Sequence, residues 1–317
     1  TIYEGEKIME AIEKIMEVIR TKLSGYRVET TTVQDVPEPV MLITNPKTGY
    51  ACGYLFSNIQ ELLSQGLRPK EIAERFCDGI LETEQTHIYL ESQMESFEKV
   101  KDKLFFRLAS PITEREVLQH VVHTPFLDME IVFYVELPDP ERNEYCTRPL
   151  ISTTLAGRWK KSATELFQVA VKNSMAKKSA TLNTAMECRE QALKAQPDID
   201  KELGLSEEEI WMMSHDRTMY ILTCEGGYGG AACIAYPGTL ALIAATLKDD
   251  LYLLPSGVHE WMVMSGQYWT DGMENGAAQA FMSLGIPKEE FLTANAYHYK
   301  RATDSIEIVP LPVQIGF

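Results

Sequence analysis

Three side chains that catalyse many reactions lie close together in the segment LYLLPSGVHEWMV, residues 251–263. Ser256 is a candidate nucleophile, His259 a candidate general base, and Glu260 a candidate carboxylate for orienting the histidine. Such a set corresponds to hydrolysis, in which the base takes a proton from the serine or from a bound water. The GxSxG pattern that presents a serine nucleophile is absent, and the spacing fixes no acid.

The elements expected around this segment argue against a local active site. The apolar runs LYLL and VHEWMVM predict two strands joined by PSG, in which Gly257 suits a left-handed position. In an extended strand, consecutive side chains project from opposite faces, so His259 and Glu260 would point apart. We therefore expect Ser256 in a hairpin connection and His259 or Glu260 at the rim of a covered sheet.

A second carboxylate precedes the strand predicted for MEIVFYVEL, a run apolar enough for burial on both faces. Asp128 stands at its start and must cap a turn, pair with another group or take part in a reaction. Asp128, Glu260 and Asp271 are the acids that the fold could bring to His259.

Two further patterns each allow a structural and a functional interpretation. EGGYGG, residues 225–230, lacks the lysine and Ser/Thr of a phosphate loop, so we interpret it as a hairpin loop before a strand, AACIAY. His120 and His123, near the end of a predicted helix, either interact with its last carbonyls or bind a metal with Asp128. The six cysteines form no CxxC pair, and we expect neither a metal nor a cofactor.

The charge distribution bears on partners. Asp and Glu number 46 against 30 Lys and Arg, and the net charge of −16 disfavours generic nucleic-acid binding. Residues 157–178 are the exception, with one carboxylate, Glu165, and six cations: Arg158, Lys160, Lys161, Lys172, Lys177 and Lys178. This segment is either a solvated helix face or a docking patch for an acidic partner.

The chain shows no apolar run long enough for a membrane span. Its first residues predict an acidic amphipathic helix, with Ile8, Ile12, Ile15 and Ile19 at helical spacing, unlike a secretory signal. The cysteines are most simply reduced and mostly buried. We expect a cytoplasmic protein without membrane contact.

The order of predicted elements indicates an α+β fold, with mixed, mainly antiparallel sheets and packed helices. A strand-strand-helix pattern occurs in MLITNPKTGYACGYLFSNIQELLSQGL and again in YILTCEGGYGGAACIAYPGTLALIAATL. Either the chain has two related halves, 1–145 and 146–317, with a seam in LPDPERNEYCTRP, or it forms one continuous domain.

Longer phrases carry a family resemblance. They are PFLDMEIVFYVEL, LGLSEEEIWMMSHDRTMYILTC, GGAACIAYPGTLALIAATL and LPSGVHEWMVM. With them the chain resembles an uncharacterised bacterial family, a domain of unknown function, and more distantly a second unannotated bacterial family. Where the family pattern reads LPSSVHE, Gly257 replaces a serine. The resemblance implies one fold along the chain and a bacterial origin, and it implies no activity.

Two functions follow as hypotheses. The first is a binding or accessory protein that acts through protein contacts, with Arg158, Lys160, Lys161, Lys177 and Lys178 as the lead residues. The alternative is a hydrolase-like enzyme that uses His259 as base, with Glu260, Ser256 or Asp128 as partners.

Overall fold

The computed structural model describes residues 2–33, 36–139, 146–202, 204, 206–216 and 218–313. The chain forms two compact units, Thr1–Glu95 and Ser96–Phe317, termed unit 1 and unit 2. Helices and antiparallel sheets in both confirm the expected α+β class. The seam expected between residues 145 and 146 falls within unit 2, and residues 140–145 lie outside the described ranges.

Unit 1 is a three-stranded antiparallel sheet with three helices. In chain order its elements are α1 (Ile2–Lys22), β1 (Arg27–Thr31), β2 (Val40–Thr44), β3 (Ala51–Leu55), α2 (Phe56–Ser64) and α3 (Pro69–Gln93). The expected apolar face of α1 is confirmed, because Ile12, Ile15 and Ile19 are buried in one core with Met41 and Ile43 of β2. Burial of this stripe holds the helix in place more than helix propensity does.

A buried carboxylate on α3 joins three parts of unit 1. Glu84 accepts hydrogen bonds from Asn45 Nδ2 at 2.7 Å and from the hydroxyls of Tyr26 and Thr48. Burial alone would raise the pKa of Glu84, but the three hydrogen bonds outweigh it and hold the pKa below its usual value. The ionised form is therefore the one that the fold stabilises.

Unit 2 contains the remaining elements. Its first half comprises α4 (Phe97–Val100), β4 (Leu104–Ala109), α5 (Arg115–Leu118), β5 (His123–Phe126), β6 (Met129–Val135), β7 (Leu137–Pro138), β8 (Cys146–Thr147), α6 (Thr153–Trp159), α7 (Ala163–Lys177) and β9 (Ala180–Thr184). There follow α8 (Ala185–Ala195), α9 (Ile199–Glu202), α10 (Glu207–His215), β10 (Met219–Cys224), α11 (Thr239–Leu247), β11 (Leu251–Pro255), β12 (Trp261–Ser265), α12 (Met273–Ser283), β13 (Ala296–Lys300) and β14 (Ser305–Val309).

Two antiparallel sheets organise unit 2. One has the strand order β4-β6-β5, and the other has the order β14-β13-β11-β12-β10-β9. The central strand β6 is buried on both faces, as its apolar sequence predicted. Helix α7 packs against β4, and its buried Asn173 donates to the carbonyls of Lys101 and Leu104 at 2.6 and 2.8 Å. Among the described helices, none is long and apolar enough to cross a membrane.

The segment after β10 differs from the expected hairpin. Gly226, Gly227 and Gly229 have positive φ, as a glycine-rich turn requires, but AACIAY does not form a strand. Residues Gly230–Ala235 form a 3-10 helix that packs against β10. The second of the two expected strand-strand-helix patterns is therefore strand, 3-10 helix and α-helix.

Candidate functional site

The catalytic candidates of the opening segment lie in a connection between two strands. Strands β11 and β12 pair with Pro255 opposite Trp261, so residues 256–260 form the connection and the second strand begins later than expected. Ser256 Oγ donates to Glu260 Oε1 at 3.1 Å, and Ser256 N donates to Glu260 O at 3.2 Å. The serine is therefore paired with the glutamate, and both close the connection.

His259 is held by the backbone of the glycine-rich segment. Its Nδ1 accepts a hydrogen bond from Gly229 N at 3.0 Å, and its carbonyl accepts one from Thr223 Oγ1 at 2.8 Å. A neutral imidazole with Nδ1 as acceptor carries its proton on Nε2. Neither nitrogen is then in position to act as a base, and among the described residues no carboxylate bonds this ring.

Gly230 allows the GGAA segment to pack closely against the LPSGVHE segment. A Cβ at Gly230 would lie 2.2 Å from Thr223 Oγ1 and 2.4 Å from His259 O, so only glycine fits. Ala231 adds two contacts, because its N donates to Val258 O at 3.3 Å and its O accepts from Trp261 Nε1 at 2.8 Å. The GGAA and LPSGVHE segments therefore pack directly against each other.

A row of charged and aromatic groups extends from His259, and no pattern in the sequence indicated it. The Tyr228 ring lies 5.7 Å from the His259 ring, and the Arg148 guanidinium lies 4.1 Å from the centre of Tyr228. Glu136 accepts from Arg148 Nε and Lys178 Nζ, each at 2.8 Å. Burial raises the pKa of Glu136, but the two cations outweigh it and hold the pKa below its usual value.

Asp128 is bonded to a different part of unit 2. It accepts hydrogen bonds from Thr293 Oγ1 at 2.7 Å, from Asn295 Nδ2 at 2.8 Å and from the hydroxyl of Tyr297. Asp128 thus ties the turn between β5 and β6 to the start of β13. Within the described ranges these contacts satisfy it without His259, and Asp271 is exposed.

The His120, His123 and Asp128 grouping is not assembled. Helix α5 ends at Leu118, and His123 begins β5, where its Nδ1 lies 2.9 Å from Glu130 Oε2. His120 follows the C-cap residue of α5 and its N donates to Val117 O at 3.0 Å, so only His120 is at the helix end. Across the described residues, no three His, Cys, Asp or Glu side chains are grouped as metal ligands would be.

Among the cysteines, the thiols of Cys188, Cys224 and Cys233 lie inside unit 2. Burial raises the pKa of all three, and Glu260 adds to the effect at Cys188. A raised pKa keeps a thiol protonated, which opposes nucleophilic chemistry.

The cations of residues 157–178 do not share one face. Arg158 and Lys160 are exposed at the end of α6, and Lys161 pairs with Glu165 at 3.0 Å at the start of α7. From Glu165 an exposed stripe continues along α7 through Gln168 to Lys172 at helical spacing. We define the basic surface as Arg158, Lys160, Lys161 and Lys172.

Two predicted binding residues lie elsewhere. Lys178 is only 9% exposed, with its ammonium on Glu136 and 5.0 Å from the centre of the Phe105 ring. Lys177 donates to the carbonyl of Asp102. The Lys178 side chain therefore belongs to the interior, because an ion pair and an aromatic ring replace the water that would otherwise solvate its ammonium group.

Comparison with known proteins places the chain by sequence. A family model described as "Family of unknown function (DUF5688)" matches residues 5–301. Neither a curated protein nor a solved structure matched. The match spans the glycine-rich segment, the connection that holds His259 and the basic surface. The chain therefore belongs to this family of unknown function.

Proposed function

We propose that the chain is a binding protein that recognises an acidic segment of a partner protein through the basic surface. The observation that carries the proposal is that Arg158, Lys160 and Lys172 are exposed, with a half-buried Lys161, in a segment whose one carboxylate is Glu165, on a chain of net charge −16. Cations collected on one surface of an acidic protein attract negatively charged partners and repel positively charged ones.

The contacts of the catalytic candidates favour binding over hydrolysis. Ser256 is bonded to Glu260, His259 accepts a backbone N–H, and Asp128 holds three donors. Each of these contacts has a structural use, and none of them joins Ser256 or a carboxylate to His259. Hydrolysis through His259 would require the ring to leave Gly229 and to gain a carboxylate.

An acidic protein fits this surface better than a nucleic acid does. The high negative charge of the whole chain repels a continuous phosphate backbone but leaves room for a short acidic segment at the basic surface. We further propose a bacterial, cytoplasmic protein, which the family resemblance and the six free cysteines support.

Charge reversal at the basic surface tests the proposal. Lys160 and Lys172 are exposed, so the double variant Lys160→Glu/Lys172→Glu leaves the packing intact. Lys194→Glu/Lys288→Glu is the matched control, because both lysines are exposed in unit 2 and the charge change is the same. Lys178 is unsuitable, since its reversal would put two carboxylates together in the interior.

The assay is affinity capture from a lysate of the source cells, quantified by mass spectrometry. A partner should be retained by the wild type and the control, lost by Lys160→Glu/Lys172→Glu, and released as salt is added. Equal retention by both double variants would contradict the proposal.

A further inference from the structure

Strand β9 is the outermost strand of the six-stranded sheet, and its outer edge carries unpaired backbone groups. Ser179 O accepts from Glu225 N at 2.9 Å, which fixes the phase of the ladder: the backbone groups of Thr181 and Asn183 face β10. Those of Ala180 and Leu182 then face outward. In the described part of the chain, no hydrogen bond reaches these outward groups.

The other end of the same edge is already occupied. Thr184 N donates to Glu187 Oε2 at 2.7 Å in the capping box of α8. The outward backbone of β9 is therefore available over Ala180 and Leu182 only. An exposed strand edge of this kind is a template for pairing with another chain.

An apolar cavity of about 400 Å³ opens beside this edge. Its apolar lining comes from α7, β9, β10, the segment after the 3-10 helix and α11: Met175, Leu182, Leu222, Tyr236, Leu242 and Ile243. At its rim Leu242 is 70% exposed and Met175 is 44% exposed. Large apolar side chains exposed around a cavity mark a binding surface, because covering them removes apolar area from water.

The basic surface adjoins the cavity. Lys172 precedes Met175 by three positions on α7, so the two side chains are neighbours on the exposed stripe. Glu225 accepts from Ser179 Oγ at 3.3 Å near the start of β9. An acidic side chain of a ligand is therefore favoured over Lys172 and disfavoured over Ser179.

We propose that an extended acidic segment of the partner pairs with β9, places one apolar side chain in the cavity and sets a carboxylate beside Lys172. This inference specifies the conformation in which the partner segment binds. Its carboxylate contact rests on the proposed function. Backbone bonds to Ala180 and Leu182 supply affinity, and the cavity selects the apolar side chain, as in other strand-addition complexes.

Peptide selection against the full chain tests the inference. A displayed library of random peptides about six residues long, the usual length of a strand, is selected on the wild type. Enriched peptides are synthesised, with and without N-methylation at the central residues, and their affinity is measured by fluorescence anisotropy. Leu242→Glu charges the rim of the cavity, and Met282→Glu is the control on α12, where Met282 is 59% exposed.

The inference expects enriched peptides that carry an apolar and an acidic residue two positions apart, because residues at that spacing lie on the same face of a strand. N-methylation removes a backbone donor, and Leu242→Glu places a carboxylate against apolar side chains, so each should weaken binding by about tenfold or more. Met282→Glu should bind as the wild type does, and circular dichroism confirms that every variant is folded.

The remaining outcomes separate the two proposals. If Leu242→Glu and N-methylation weaken binding while Lys160→Glu/Lys172→Glu does not, the edge site stands and the basic surface fails. If the lysine variant alone weakens binding, the edge site is overturned. Selection that enriches no peptide, with a dimer in sedimentation that Leu242→Glu dissociates, also overturns it, because a second copy then covers β9.

Discussion

Gly230→Ala is the most informative single substitution in the segment that holds His259. The added methyl carbon would lie 2.2 Å from Thr223 Oγ1, 2.4 Å from His259 O and 2.9 Å from Cys224 N. Two of these three atoms belong to the backbone, so no rotamer change can make room. The substitution must separate β10 from the connection that carries His259.

The expected loss follows from two contributions. Overpacking of a filled site costs about 1–3 kcal/mol. Displacement of the hydrogen bond from Thr223 to His259 adds about 1 kcal/mol. A unit of this size loses about 2–4 °C in Tm for each kcal/mol, so Gly230→Ala should lower the Tm by roughly 4–16 °C.

Thermal unfolding followed by circular dichroism measures this loss, with Gly276→Ala as the matched control. Gly276 is exposed within α12, and its added Cβ would have no atom within 4 Å. In a helix this change should stabilise by about 0.5–1 kcal/mol, so the two alanines shift Tm in opposite directions. A Gly230→Ala variant as stable as the wild type would refute the close packing described.

Three further predictions concern polar side chains, and urea unfolding measures all of them. Asp128→Ala leaves three donors without an acceptor and should cost about 2–3 kcal/mol, whereas Asp271→Ala at an exposed position should stay within about 0.5 kcal/mol of the wild type; equal effects would contradict the structural role. His259→Asn keeps an acceptor near the Nδ1 position and should be tolerated, whereas His259→Leu strands Gly229 N–H and should cost about 1–2 kcal/mol; equal loss in both would argue against this hydrogen bond. The folded pKa of Glu84 lies below its unfolded value of about 4.3, so its contribution is complete above that pH and is lost as the pH falls through the folded pKa. The stability difference between the wild type and Glu84→Gln should therefore shrink in acid, and a difference that persists there would be inconsistent with the lowered pKa.

The sequence predicted the parts of the fold that depend on local pattern. Ile12, Ile15 and Ile19 are buried because helical spacing places them on one face of α1. Strand β6 is central because its residues are apolar on both faces. Ser256 lies between two strands, as the breaker residues around Gly257 indicated, but His259 and Glu260, which were expected in the second strand, lie in the connection as well.

The remainder depends on contacts between distant parts of the chain. Lys178 has the same sequence context as exposed lysines, and only the fold brings it to Glu136 of the β6–β7 region. Arg148 and Tyr228 meet across 80 positions for the same reason. The segment AACIAY has the composition of a strand, but most of it lies in a 3-10 helix. That helix begins at Gly230, which packs closely against β10 and the backbone of His259.

A photo-crosslink from the basic surface tests the central claim most directly. Gln168 is exposed between Lys161 and Lys172 on the stripe of α7, so Gln168→p-benzoylphenylalanine reports what lies on that surface in living cells. Mass spectrometry should identify one protein crosslinked through a segment rich in Asp and Glu, and Lys160→Glu/Lys172→Glu should abolish the crosslink while Lys194→Glu/Lys288→Glu preserves it. An absence of crosslinked protein, or a crosslink that survives reversal at the basic surface, would contradict the account.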